Sequence, residues 1–192
     1  QIVSNLINRL RDRKITIKCS NTLTPLISDE IELKKLPEDF SFFTKPLPHQ
    51  ELSLRICYTF GNAGLLLAPG LGKTKVIYDL IKLQKYNKSL VVCPKPLLFV
   101  WKEEVLKHRP ELSVYVIQST DWEKERAGVE SNQVVVINYD KCVSFKDRLS
   151  SLKFDFMAVD EGLIKNLHTE RTKAIFEISA SNKDMHKVVM SG

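Results

Sequence analysis

The chain has 192 residues, 43% hydrophobic and 27% charged, which suits one globular domain with a real core and a small appendage. No run of eighteen apolar residues occurs, and Gln1–Leu10 lacks an apolar segment and a small-residue cleavage site, so neither a membrane span nor a signal peptide is expected. The net charge of +6 permits contact with a polyanion without requiring it.

Residues 1–45 read as an N-terminal accessory segment. Ile2, Val3, Leu6, Ile7 and Leu10 recur at helical spacing, and Ile15, Ile17 and Cys19 then alternate with polar residues as a short strand. Ile31, Leu33 and Leu36 read as a further strand or short helix. Two prolines in Lys45-Pro-Leu-Pro-His-Gln50 close this unit and open a second one, residues 46–192, beginning with a helix over Gln50–Phe60.

An apolar run, Leu65 to Ala68, reads as a buried strand that halts at Pro69. It breaks into Gly70-Leu71-Gly72-Lys73-Thr74 and continues as an apolar-periodic helix, Thr74–Tyr86. Strand, glycine-rich turn, Lys-Thr and helix form the layout of a phosphate-binding loop. Glycines let backbone N–H groups converge on an anion, and the following helix adds its partly positive N-terminus. Lys73 would reach the outer phosphates and the Thr74 hydroxyl would ligate Mg²⁺. Leu67 stands where the full motif has its first glycine, and Pro69 brings no N–H, so the cradle falls to Gly70–Thr74.

Beyond the loop, strands and helices alternate. Strands are expected at Ser89–Cys93, Leu112–Gln118, Gln133–Asn138, Phe154–Asp160 and Lys187–Met190, with helices at Pro96–His108, Asp121–Ala127, Ser144–Leu152 and Thr169–Ser181. Uninterrupted apolar runs such as Val134–Ile137 suit strands covered on both faces. The alternation predicts a mainly parallel α/β sheet with helices on both faces and ligands at the carboxyl ends of its strands. Four cysteines (Cys19, Cys57, Cys93, Cys142) lack C-x-x-C spacing and read as free thiols in a reducing compartment.

A nucleotide loop needs a metal-holding carboxylate. The strand ending in Asp160-Glu161 supplies one: Asp160 to hold Mg²⁺ through water, Glu161 to orient or deprotonate the attacking water.

Taken together, these segments resemble the first RecA-like lobe of a superfamily-two helicase-like ATPase, in particular the SWI/SNF type of duplex DNA translocase. Leu47-Pro48-His49-Gln50 is similar to the segment whose Gln reads the adenine edge, so the resemblance gives Gln50 that role. Gly70–Thr74 resembles motif I, Leu90–Val105 motif Ia with its helix, Val134–Asp140 motif Ib, Asp160–Asn166 motif II, and Val188–Gly192 the start of motif III. The resemblance implies ATP and Mg²⁺ bound by Gln50, Gly70, Leu71, Gly72, Lys73 and Thr74 with Asp160 and Glu161. It also implies nonspecific backbone contacts to DNA from Lys95, Lys102, Tyr139, Lys165 and Asn166, and a place in a bacterial or phage-infected cytoplasm or in a nucleus.

Two departures shape the expectation. Leu163 stands where motif II carries a histidine, and the sequence stops inside motif III, so the second lobe with its arginine finger is expected outside this chain. An arginine finger is worth about 10³–10⁵ in rate, which predicts an isolated chain that binds ATP but scarcely hydrolyses it. The competing reading is a catalytically weak nucleotide-binding or protein-interaction module with an altered motif II. A small-molecule P-loop kinase is disfavoured by the motif Ia and Ib likenesses. For Trp101 the expected place is the core, beside Val100 and Leu97.

Overall fold

The computed structural model describes residues 32–161 and 168–192. Readings that fall on residues 1–31 and 162–167, including Cys19, Leu163, Lys165 and Asn166, lie outside the described residues. The first described helix, α1 (Pro48–Phe60), leads into β1 (Ala63–Leu66) and then α2 (Lys73–Gln84). There follow β2 (Ser89–Cys93), a short 3₁₀ turn over Lys95–Leu97, α3 (Leu98–His108), β3 (Val114–Val116) and α4 (Trp122–Ser131). The chain ends through β4 (Val134–Asn138), α5 (Tyr139–Ser144), α6 (Lys146–Ser151), β5 (Phe156–Val159), α7 (Glu170–Ala180) and β6 (His186–Ser191).

All five strand pairs are parallel, in the order β1-β6-β5-β2-β4-β3. Every residue of β2, β4 and β5 is buried. Their side chains alternate between two cores, one on each face of the sheet. Val91, Cys93, Val134, Val136, Phe156 and Ala158 join α1, α2 and α3 on one face. Leu90, Val92, Val135, Ile137, Met157 and Val159 meet α4 to α7 on the other. Connections running from β1 towards β3 therefore pass over the first face, and those returning pass over the second. Right-handed crossovers between parallel strands demand this division.

Several expectations change in detail. Among the described residues β1 is an edge strand, bonded only to β6, and it alternates: Leu65 and Leu67 are buried while Leu66 is 66% exposed. The expected uniformly buried run is corrected accordingly. The expected helix 144–152 is two short helices, because the Asn138 side chain accepts from Lys141 N–H and starts α5 early, and Phe145 then leaves helical geometry. The helix expected to end at Ala127 runs on to Ser131 through Gly128, where an added Cβ would fall 2.2 Å from the Tyr115 ring. That glycine serves close packing and does not stop the helix.

Leu33 and Leu36 lie in irregular chain, not in a strand or helix. Residues 33–44 form a strap whose Leu33 is buried and whose Leu36, Phe40 and Phe42 pack on the α1–α3 core, so this part of the expected accessory segment shares the core of the lobe. Beneath the strap Asp79 accepts from Lys75 Nζ at 2.7 Å and from Arg109 Nε at 2.6 Å, all three residues being buried. The Lys75 ammonium stands 5.3 Å from the Phe42 ring centre and the Arg109 guanidinium 5.0 Å from that of Phe40. Buried charges persist only when paired in this way.

Cys57, Cys93 and Cys142 are buried free thiols, as expected, and burial pushes each up to about 12, so they stay protonated at neutral pH. No helix among the described residues is long and apolar enough to cross a membrane.

Candidate nucleotide site

The phosphate loop hangs between two fixed points. At one end Leu67 N–H donates to Ser191 O at 3.1 Å, extending the β1–β6 ladder by one bond. At the other, Gly72 caps α2 in the left-handed region, φ 78°, as Gly70 does at φ 81°. Side chains other than glycine enter that region at a cost. Among the described residues Gly72 brings no side-chain cap to α2, which leaves the N–H groups of its first turn to an anion.

Gln50 and His49 brace the loop from α1. Gln50 Nε2 donates to Leu71 O at 3.1 Å while its Oε1 accepts from Leu47 N–H at 3.0 Å. His49 Nε2 lies 3.0 Å from the same carbonyl, which can only accept, so Nε2 carries the proton. A Cβ at position 72 would sit 2.3 Å from Gln50 Nε2. Gly72 thus answers two demands, backbone conformation and close approach. Gln50, expected to meet adenine, here has both ends of its amide on protein and is buried. The bracing role of His49 was not foreseen.

Across the loop stand the two acids. Asp160 N–H still belongs to the β2–β5 ladder, bonded to Val92 O at 2.8 Å, which fixes it at the carboxyl end of β5. Its Oδ1 accepts from Glu161 N–H at 3.0 Å and its Oδ2 from the indole Nε1 of Trp101 at 2.9 Å. Tyr139 OH donates to the Asp160 carbonyl at 2.7 Å. Burial holds the Asp160 carboxyl above the usual carboxylate range, opposed by the Trp101 and Glu161 hydrogen bonds and by the charge of Lys73. Glu161 takes a left-handed backbone, φ 48°, at a cost of about 1–3 kcal/mol for such a residue. Lys73 Nζ donates to Leu67 O at 2.9 Å and lies 3.8 Å from Glu161 Oε1.

Motif I and motif II residues are therefore brought together as expected. The donor chemistry fits a magnesium ion: the Asp160 carboxylate and the Thr74 hydroxyl are both hard oxygens, and each Asp160 oxygen carries one N–H bond and keeps lone-pair capacity. Among the described residues no three His, Cys, Asp or Glu side chains cluster as a self-sufficient metal cage. Phosphate and water would supply the remaining ligands, as is usual for Mg²⁺.

The expected DNA-contacting residues divide. Lys95 and Lys102 are exposed, at the start of the 3₁₀ turn after β2 and on α3. Tyr139 is buried and its hydroxyl is occupied by Asp160 and Glu161 carbonyls, so it faces the acids and not the surface. Trp101 is in the core, as expected, but against Tyr78 (rings 5.4 Å apart, 71° between planes) instead of Val100, which is exposed. Its bond to Asp160 was missed. A buried indole N–H calls for an acceptor, yet nothing in sequence points to one 59 residues away.

Known proteins share this fold. A solved SWI2/SNF2 ATPase core from Sulfolobus solfataricus in complex with double-stranded DNA superposes with a TM-score of 0.70 at 23% identity, covering 83% of this chain and 34% of that one. TATA-binding protein-associated factor mot1 of Schizosaccharomyces pombe is 30% identical over 142 residues, 64% of this chain and 7% of that protein. Protein CHROMATIN REMODELING 24 of Arabidopsis thaliana is 29% identical over 170 residues, 76% of this chain and 15% of that protein. The chain thus spans a small part of the relatives it matches. The family model for the SNF2-related domain matches residues 18–192, and the chain with its RecA-like fold belongs to that family.

Proposed function

We propose that this chain is the ATP-binding first lobe of a DNA-dependent ATPase that translocates on duplex DNA and needs a second lobe for efficient hydrolysis. The observation that carries the reading is the meeting of Lys73 with Glu161, 3.8 Å apart, beside an uncapped helix N-terminus and the buried Asp160. Gly70–Thr74 hold the phosphates through backbone N–H groups, and Lys73 leaves Leu67 O to meet their outer oxygens. Asp160 and Thr74 hold Mg²⁺, which when bound neutralises charge building on the phosphates. Glu161 orients the attacking water and accepts its proton. Gln50 moves from the loop carbonyl to adenine, or holds the loop while ATP binds.

DNA is the proposed partner, met through the phosphate backbone by the exposed Lys95 and Lys102, with Lys165 and Asn166 from the segment after motif II. The S. solfataricus neighbour, solved with double-stranded DNA, supports a duplex. Such a protein works where DNA is, in a bacterial or infected-cell cytoplasm or in a nucleus.

Binding of a fluorescent ATP analogue, followed by steady-state turnover with and without duplex DNA, tests the reading. The chain is expected to bind with Mg²⁺, and Lys73→Ala to weaken binding about 10- to 100-fold through a lost charged hydrogen bond. Turnover is expected to stay far below 1 s⁻¹. Undiminished binding by Lys73→Ala would overturn the site, and DNA-stimulated turnover of about 1 s⁻¹ or more would overturn the need for a second lobe.

A further inference from the structure

Asp160 is held by a neutral donor. Its Oδ2 takes the Trp101 indole N–H at 2.9 Å and its Oδ1 a backbone N–H, so each oxygen keeps lone-pair capacity and the carboxylate keeps its charge. Asp79, a few residues along from the phosphate loop, is instead met by two cations, and its charge is answered within the protein. An orienting group that must leave a carboxylate free to attract an external cation has to be uncharged, rigid and shielded from water. Trp101, with 1% of its surface exposed, meets all three demands.

The indole is itself gripped by the helix that follows the phosphate loop. Tyr78 on α2 donates its hydroxyl to Trp101 O and packs edge-to-face against the ring. Trp101 therefore spans α2, α3 and the end of β5, and sets where Asp160 stands relative to the loop helix. Lys102, the next residue on α3, is exposed.

We infer that Trp101 is a positioning residue for Asp160, holding its carboxylate through the Nε1–H···Oδ2 bond in the orientation that receives the divalent cation of a bound nucleotide. The inference rests on the proposed metal-holding role of Asp160. Partners of this kind, bonded to a ligand and not to the ion, typically govern about 10- to 100-fold in metal affinity.

The test uses the whole chain with ADP and Mn²⁺, reading bound Mn²⁺ by electron paramagnetic resonance. Trp101→Phe removes the donor and keeps most of the ring. It is expected to raise the Mn²⁺ concentration for half-saturation about 10-fold or more, while metal-free ADP affinity changes by less than about twofold. Tyr78→Phe, which removes the hydroxyl bond to Trp101 O but leaves the ring contact and the indole bond, is expected to keep Mn²⁺ affinity. Should Trp101→Phe fail to fold, 3-benzothienylalanine at position 101, an indole with sulfur in place of N–H, is read the same way. Asp160→Asn separates the failures. If it weakens Mn²⁺ binding and loss of the indole donor does not, the role of Trp101 is overturned alone. If neither substitution matters, the metal assignment of Asp160 falls as well. Equal losses in Trp101→Phe and Tyr78→Phe would reduce Trp101 to packing and overturn the inference.

Discussion

Two clusters of charge begin on the same helix and are built in opposite ways. Lys75, Asp79 and Arg109 form a closed set, with cation to carboxylate distances of 2.7 and 2.6 Å and two aromatic rings laid over the cations. Lys73, Glu161 and Asp160 form an open one: the nearest ion-pair distance is 3.8 Å, Lys73 rests on a carbonyl, and Asp160 is bonded to neutral N–H groups. The closed set pairs its charges, although Arg109 Nη2 is buried without a hydrogen-bond partner, and its cations meet the rings of the strap. Among the described residues the open set pairs its charges only loosely, which suits a site that receives a charged ligand.

The sharpest way to break this contrast is to remove one acid from each cluster. Asp79→Ala takes the shared carboxylate from two buried cations, leaving Arg109 to Glu111 at 3.6 Å, and is expected to cost about 3–5 kcal/mol in denaturant unfolding. Asp160→Asn is expected to change stability by no more than about 1 kcal/mol, since burial already disfavours its charge. Equal losses would erase the distinction.

Next in size, Gly72→Ala acts on the open side alone. The new methyl must enter a left-handed backbone and displace the Gln50 amide from 2.3 Å, for about 1–3 kcal/mol. ATP-analogue affinity should fall with it while the strap keeps its protection from hydrogen exchange. Loss of strap protection would show that the two clusters are coupled.

The smallest effect lies at the rim of the closed set. His108 is faced by Glu104 Oε2 at 3.2 Å from Nε2, by Thr44 Oγ1 at 2.8 Å from Nδ1, and by the charges of Lys75 and Asp79. Burial, outweighing the attraction of Glu104, holds its imidazole below the ordinary 6.5. The folded chain thus prefers the neutral ring, so this stability is complete above about pH 6.5 and is lost as pH falls through the lower folded value. His108→Gln should flatten the fall in melting temperature between about pH 7 and 5. An unchanged slope would place that acid sensitivity elsewhere.

How far the sequence carried depended on what each element answers to. Strands β2 and β4 are covered on both faces, so their apolar runs were readable residue by residue. Leu66 looked the same in sequence but lies on an edge strand, and edge position is a property of the finished sheet. Motif residues were legible because a phosphate loop must sit between a strand and a helix. The supports were not: His49 on Leu71 O, Tyr139 on Asp160 O and Trp101 on Oδ2 all act across more than twenty residues, and their side-chain types also suit plain packing. The short break at Phe145 follows from the Asn138 cap, a local signal present in the sequence and outweighed there by the longer apolar pattern after it.

Among the described residues β1 has one neighbour in the sheet, β6. Ala63 pairs with Val188 and Leu66 with Ser191, so the strand that leads into the Gly70–Thr74 loop finds this ladder more than a hundred residues later. During synthesis from the N-terminus, α1, β1 and the loop emerge first and must wait for residues 186–191 before their position is defined. Such long-range pairing is slow because loop closure precedes any reward. A nascent lobe therefore completes its central strands before it can hold ATP, and ribosome-bound chains should gain nucleotide affinity only as β6 clears the exit tunnel.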